Sequence, residues 1–406
     1  MYLHSELLSD TFGRLPGKNI VLATILAIAS QASCSAGEST MPEDGVVWRW
    51  HESNTELYSP EFSLDVTEIV LVRKRHGLDG HEAELAPKAR LREQTNLIES
   101  DERYEDPQIV VLDQYGLTDV IDWGWAPTFS ADGKQVAYAA QTKPISGLRV
   151  LAGTLAGNEI RVRNRSSKTN RTLAKPETAY LSDPLFSPDG QYVVYSIGGA
   201  TNGAYGGNIG LARAALDSAE SETLYSPTKD HDLFHLVDPK RFVSGRLLAV
   251  RCTPAGEGLY LADEYDCDLL DVGPPQSTVY SWGRRPSHQI RPLEFTEDPE
   301  GKLLVYDQGW QTVGSHLQPR ALPHNGSRRR PAIASPNAEF VADVSESTVT
   351  IRELANDVVR REWEFGSRIQ DLVWSRSSRH IAVIITHYKD QEQIQFDYDE
   401  LVVLEL

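Results

Sequence analysis

The stretch Leu185-Phe186-Ser187-Pro188-Asp189-Gly190-Gln191-Tyr192-Val193-Val194-Tyr195-Ser196 joins a tight turn to a strand. Ser187 and Asp189 can hydrogen-bond nearby backbone N–H groups, Pro188 presets φ, and Gly190 accepts a positive φ, so the chain reverses within four residues. Val193, Val194 and Tyr195 are β-branched or aromatic and read as the strand that follows.

The same phrase recurs along the chain. Before it come Pro60-Glu61-Phe62-Ser63-Leu64-Asp65 with Ile69-Val70-Leu71, and Pro127-Thr128-Phe129-Ser130-Ala131-Asp132-Gly133 with Val136-Ala137-Tyr138. After it, a degenerate copy aligns Leu236-Val237-Asp238-Pro239 with Leu247-Leu248-Ala249-Val250, and another aligns Phe295-Thr296-Glu297-Asp298 with Leu303-Leu304-Val305-Tyr306. The last two are Ala334-Ser335-Pro336-Asn337 with Phe340-Val341-Ala342, and Trp374-Ser375-Arg376-Ser377 with Ile381-Ala382-Val383. Units of about 40 residues, lengthened by loops, are the size of a four-stranded propeller blade. Second strands such as Gln108–Leu112, Glu159–Arg163 and Thr348–Ile351 follow several copies, and no long helical periodicity interrupts them. The expected fold is all-β, a β-propeller of seven blades, with six as the count if the two weak copies do not each make one. An open ring would expose a strand edge. Val46–Trp50 and Leu401–Leu404 are therefore expected to share one blade and close it.

The phrase aromatic-Ser-Pro-Asp-Gly, three residues, then a short apolar strand is similar to the PD40, or TolB-like, propeller repeat. That repeat belongs to TolB-type periplasmic proteins and to the propellers of prolyl-oligopeptidase-like peptidases. The resemblance covers Val46 to Leu406 and implies a non-catalytic binding propeller of the bacterial envelope. Its partner would be another envelope protein or a small ligand, and the chain is expected to be a monomer. The motif residues Ser130, Asp132, Gly133, Ser187, Pro188, Asp189 and Gly190 are structural turn residues. The peptidases with this propeller carry Gly-x-Ser-x-Gly on a separate domain, and that motif is absent from the sequence. Two enzymatic alternatives remain. One is a metal-dependent polysaccharide lyase of the oligogalacturonate lyase type, and the other is a propeller accessory of a peptidase system.

The N-terminus reads as a targeting segment. Asn19 to Ala32 is apolar and ends in small residues, after Arg14 and Lys18. Gln31-Ala32-Ser33-Cys34 resembles a lipobox, in which the Cys becomes the lipidated N-terminus, although Gln31 stands where an aliphatic residue is usual. Cleavage after Ala32 is the alternative. The expected organisation is a signal peptide over 1–33, a flexible tether over 34–45 and one propeller domain over 46–406, exported to the periplasm and held at the outer membrane through Cys34. The chain has three cysteines. Pairing Cys252 with Cys267 across a candidate hairpin leaves Cys34 for the lipid. Three free thiols in a cytosolic protein are the alternative.

A formal net charge of −18 excludes nucleic acid, whose phosphates it would repel. The acidic patches Glu99–Glu105, Asp263–Asp271 and Asp397–Glu400 read as solvated loops, with calcium as the ion they would take and no other cofactor expected. Function is expected on the face opposite the Ser-Pro-Asp-Gly turns, where loops are long. The candidate binding residues there are His76, His81, Trp310, His316, Arg328, Arg329 and Arg330. The glycine-rich Gly198–Gly210 is read as a loop, because neither a helix nor Gly-Lys-Ser/Thr follows it.

Overall fold

The computed structural model describes residues 45–75, 107–142, 156–177, 179–198, 208–226, 236–255, 264–286, 293–298, 300–306, 310–313, 320–321, 332–390 and 395–406. The leader, Cys34 and the tether up to residue 44 lie outside them. Every regular element among the described residues is a strand, and the strands form an all-β propeller.

Strand β1 (Val46–His51) belongs to the last sheet of the ring. The first sheet runs through β2 (Thr55–Phe62), β3 (Glu68–Arg75), β4 (Gln108–Asp113) and β5 (Gly116–Phe129). β5 then continues into β6 (Gln135–Ala140), and past the short β7 (Ala156–Gly157) come β8 (Glu159–Asn164) and β9 (Thr169–Ala174). Because β5 pairs with β4 in its first half and with β6 in its second, one sheet holds seven strands, β2-β3-β4-β5-β6-β8-β9.

The other sheets are blade-sized. One contains β10 (Tyr180–Phe186), β11 (Tyr192–Gly198), β12 (Asn208–Ala215) and β13 (Ser221–Tyr225), with β7 added to the free edge of β10. The next contains β14 (Leu236–Val243), β15 (Arg246–Pro254), β16 (Glu264–Asp271) and β17 (Ser277–Pro286). It is followed by β18 (Phe295–Glu297), β19 (Leu303–Tyr306), β20 (Trp310–Val313) and β21 (Arg320–Ala321). Then come β22 (Ile333–Ala334), β23 (Phe340–Val344), β24 (Thr348–Glu353) and β25 (Val359–Glu364). The last sheet orders β26 (Arg368–Trp374), β27 (His380–Asp390), β28 (Gln395–Glu405) and β1.

The turn after five of the first strands repeats in detail. Ser63, Ser130, Ser187, Ser335 and Ser375 are buried. Each hydroxyl accepts the N–H of the residue opening the next strand (Glu68, Gln135, Tyr192, Phe340 or His380) at 2.9–3.1 Å. The fourth turn residue lies in the left-handed region: Gly133 and Gly190 at φ 69° and 66°, but also Val66, Ala338 and Ser378 at 64°, 50° and 59°. Side chains there cost about 1–2 kcal/mol, which the buried serine bonds offset.

Two weak copies align differently from the sequence reading. Asp238-Pro239 is not a turn; it lies inside β14 at a register shift between Val237 and Lys240. The reversal is instead at Ser244-Gly245, where Val243 pairs directly with Arg246. In the next sheet Asp298, not Thr296, takes the serine position: its N–H bonds Lys302 O and its carbonyl accepts Gly301 N–H.

Inner strands bury both faces, so each sheet is covered by its neighbours. Phe129, Val136 and Tyr138 pack on Val70, Ile109 and Val111, for example, all at 1% exposure or less. Charged pairs cross the same junction at the rim, with Arg161 on Asp122 at 2.9 Å and Arg163 on Asp119 at 3.3 Å. The ring closes as Val46, Trp48 and Trp50 of β1 pair with Leu404, Val403 and Leu401 of β28. This closing sheet packs on the first through Ala382, Ile384, Leu401 and Val403 against Leu57, Ile69 and Leu71. Asp399 of β28, fully buried, accepts the Leu57 N–H at 2.8 Å and so ties the two sheets together.

Burial pushes the Asp399 carboxyl up to about 6, with the Leu57 N–H pulling only partly the other way. A carboxyl raised in the folded state stabilises most when protonated, so its contribution is lost as pH rises from about 4 through about 6. The Asp399→Asn variant is expected to lack that slope and to exceed the wild type by up to about 3 kcal/mol at pH 7. The check is urea unfolding of both proteins at pH 4 and pH 7; parallel stability curves would refute it.

Candidate functional site

The first strands β2, β5 and β10 each carry a bulge where a residue of positive φ precedes a proline: Ser59-Pro60, Ala126-Pro127 and Asp183-Pro184, with φ of 50°, 48° and 48°. β14 has its own bulge at Asp238-Pro239. Proline brings no N–H, so it suits a strand edge that faces a channel and not a partner strand. Backbone held in such conformations is strained by about 1–3 kcal/mol per residue and persists only where its surroundings over-determine it. The bulges bend the inner strands and leave a cavity of about 730 Å3. The turn residues Ala131, Ser187, Pro188 and Arg376 line it, so the cavity opens as a funnel on the turn face.

Its walls are mainly apolar, from Pro60, Pro127, Pro184, Leu185, Phe242 and Val373. The charged groups are Glu61, Asp183, Arg241 and Arg376. Arg241 is committed, donating to Glu294 and to the Phe295 carbonyl at 2.9 Å each. Asp183 accepts from the Ser182 hydroxyl at 2.7 Å.

Arg376 and Glu61 meet over the backbone of Phe129. The Phe129 N–H donates to Glu61 Oε1 at 3.2 Å, and Arg376 Nη2 donates to the Phe129 carbonyl at 3.2 Å and to Glu61 Oε1 at 3.4 Å. Together they cap the N–H and C=O of Phe129, as a neighbouring strand would. Two sheets contribute to this point: Glu61 from β2 and Phe129 from β5 of the seven-stranded sheet, and Arg376 from the turn after β26 of the closing sheet. Burial raises the Glu61 carboxyl above its ordinary value, against the opposing pull of Thr128, Arg376 and the Phe129 N–H.

The residues expected to bind a partner do not assemble among the described residues. Trp310 is not on a loop face. It is 1% exposed, its indole N–H donates to the Ala332 carbonyl at 3.2 Å, and it packs edge-on against Tyr306, holding neighbouring sheets together. His76, His81, His316, Arg328, Arg329 and Arg330 lie outside the described residues. Among the described residues no group of three or more His, Cys, Asp or Glu is placed to hold a metal ion. Cys252 and Cys267 are directly opposed on β15 and β16 and disulfide-bonded. Ser130, Asp132 and Gly133, like Ser187, Asp189 and Gly190, are engaged in their own turns, while Pro188 also lines the funnel.

The sequence reading missed Glu61 and Arg376. Both break the repeat at a fixed slot. Thr128 and Leu185 stand where Glu61 does, and Leu64, Ala131, Pro188 and Pro336 stand where Arg376 does. A charge on the inner strand or turn of one copy alone was the available signal.

No protein-family model matches the chain. No curated protein matches it either. Among solved structures it resembles the β-propeller domain of Cps50 (Swd1) from Myceliophteria thermophila, with a TM-score of 0.52 and 11% identity over 90% of this chain and all of that one. It also resembles an oligogalacturonate lyase in complex with manganese, with a TM-score of 0.53 and 10% identity over 89% of this chain and 98% of that one. At these identities the likeness is one of fold, and that fold is the β-propeller.

Replacing Glu61 separates its two roles. Glu61→Gln keeps an acceptor for the Phe129 N–H and removes a carboxylate that burial disfavours, so at pH 7 it should be at least as stable as the wild type. Glu61→Ala strands that N–H and should cost about 1–3 kcal/mol. Urea midpoints at unchanged m-value report both; an equal loss in the two variants would contradict this account of the site.

Proposed function

We propose that this protein is an exported, non-catalytic binding propeller whose funnel on the turn face receives a small ligand or a segment of an envelope partner. The carrying observation is the funnel itself. It has the volume of a ligand site, and its walls are mainly apolar with four charged residues among them. Three of the acid–base and nucleophilic groups on its lining are engaged in structure: Glu61 accepts the Phe129 N–H, Asp183 accepts the Ser182 hydroxyl and Ser187 bonds Asp189. The bulges that form it are concentrated on successive inner strands, which supports a shaped site over a generic channel.

A count of seven blades fits this reading. Dividing the seven-stranded sheet at β5 gives two sets of four strands, which join the five blade-sized sheets. Seven apolar clusters then fall one to each junction around the ring. Export is supported by the leader-like segment ahead of Cys34 and by the Cys252–Cys267 bond, which suits an oxidising compartment. Anchoring through Cys34 and a TolB-like role extend the same reading. The loops of the opposite face remain a second candidate surface through His76, His81, His316 and Arg328–Arg330.

The likeness to the manganese-bound lyase favours one other reading, a metal-dependent lyase using the histidines of that opposite face. It predicts about one manganese per chain, lost in His76→Ala or His81→Ala.

Ala131 is exposed at a turn slot that also accepts Leu, Pro and Arg, so Ala131→Trp should plug the funnel mouth without unfolding the ring. Native mass spectrometry of protein from its own cells should show a bound species or partner in the wild type and not in Ala131→Trp. The same bound species in both would defeat the funnel reading. For the anchor, metabolic labelling with an alkyne fatty acid should mark the wild type and not Cys34→Ala, with the variant released from membranes. An unlabelled, cytosolic wild type would remove both lipidation and export.

A further inference from the structure

Arg376 is the under-partnered cation of the funnel. The funnel's other arginine, Arg241, meets Glu294 at 2.9 Å. Charge-assisted bonds of that kind are normally about 2.7–2.9 Å long. Arg376 reaches Glu61 only at 3.4 Å, and through the same Nη2 that serves the Phe129 carbonyl. Its Nη1 and Nε take no partner among the described residues, and its side chain stays 40% exposed. Glu61 does not need Arg376 in order to be held, since the Phe129 N–H and Thr128 also bond it. The guanidinium therefore keeps Nη1 and Nε as free charged donors, each able to take one carboxylate oxygen. The proline and Phe242 walls of the same cavity offer apolar area.

We infer that the funnel binds a ligand carrying a single carboxylate on a short apolar body, with a carboxylate oxygen on the free Nη1 of Arg376 and the apolar part against Pro60, Pro127 and Pro184. The inference rests on the binding reading above and names the ligand chemistry. An acyl-chain acid and the C-terminus of a peptide share that chemistry. A bound carboxylate places a second negative charge beside Glu61, with Asp183 and Arg241 the other charged groups in the cavity. Binding then draws a proton onto Glu61, whose burial already favours the neutral form. Affinity rises as pH falls from 7.5 to 5.5, above the range where the ligand itself protonates.

Titration calorimetry of the full chain tests this with octanoate against octanamide, and with N-acetyl-Leu-Phe acid against its amide. The acids should bind at least about tenfold tighter than their amides, and whichever acid binds more tightly identifies the source. Arg376→Gln should erase the acid preference, and Arg376→Lys should restore part of it; the slot tolerates varied residues, so both should fold. Glu61→Gln should tighten acid binding at pH 7.5 and flatten its pH dependence. Acid and amide binding equally would overturn the carboxylate inference while leaving the funnel a binding site. An acid preference that survives in Arg376→Gln, or a pH slope that survives in Glu61→Gln, would overturn it as well. No binding by any probe would overturn it together with the funnel reading.

Discussion

A sheet that is apolar on both faces has nowhere to end. Ile69 to Val72 and Ile109 to Leu112, at 0–1% exposure, must be covered from both sides, and every covering sheet has the same need. A ring is the arrangement in which each sheet is both cover and covered. It works only if the last sheet meets the first, which makes the pairing of β1 with β28 the contact the rest depends on. The chain does not leave that junction to apolar packing alone. Asp399, fully buried, caps the Leu57 N–H across the seam. Its carboxyl carries a desolvation cost there, offset by fixing the inner edge of the first sheet.

The same constraint explains why the turns were readable. Each blade needs a compact reversal on one face, and the serine hydroxyl that accepts the next strand's N–H supplies it with local chemistry alone. That is why the repeat announced the all-β ring and the joining of the two termini. Val66, Ala338 and Ser378 also show that the motif tolerates loss of its glycine when the serine bonds are kept. The two misaligned copies failed for a matching reason. Asp238-Pro239 resembles a turn by composition, yet the same dipeptide type makes the channel bulge at Asp183-Pro184. Composition cannot separate a reversal from a bulge; pairing register can.

The candidate site was less legible because its parts are brought together by the ring and not by neighbouring sequence. Glu61 and Arg376 lie at opposite ends of the chain and meet only because the first and last sheets are adjacent. What the sequence did contain was contrast between copies: a charge where sister copies hold Thr, Leu, Ala or Pro. Trp310 shows the opposite error. A tryptophan beside a glycine on a long connection looked available for a ligand, yet its indole is spent on the Ala332 carbonyl between two sheets.

Strand β5 has a consequence for how movement can spread. Between β25 and β26 the described residues 365–367 separate the outer strand of one blade-sized set from the inner strand of the next, and such a segment can absorb a displacement. β5 has no such slack. One continuous strand runs from Asp119 and Asp122 at the rim, where Arg163 and Arg161 grip it, to Pro127 and Phe129 at the funnel. The two halves behave as the arms of one lever, and a shift of the Phe129 backbone that Glu61 and Arg376 hold is transmitted along covalent backbone to the outer surface.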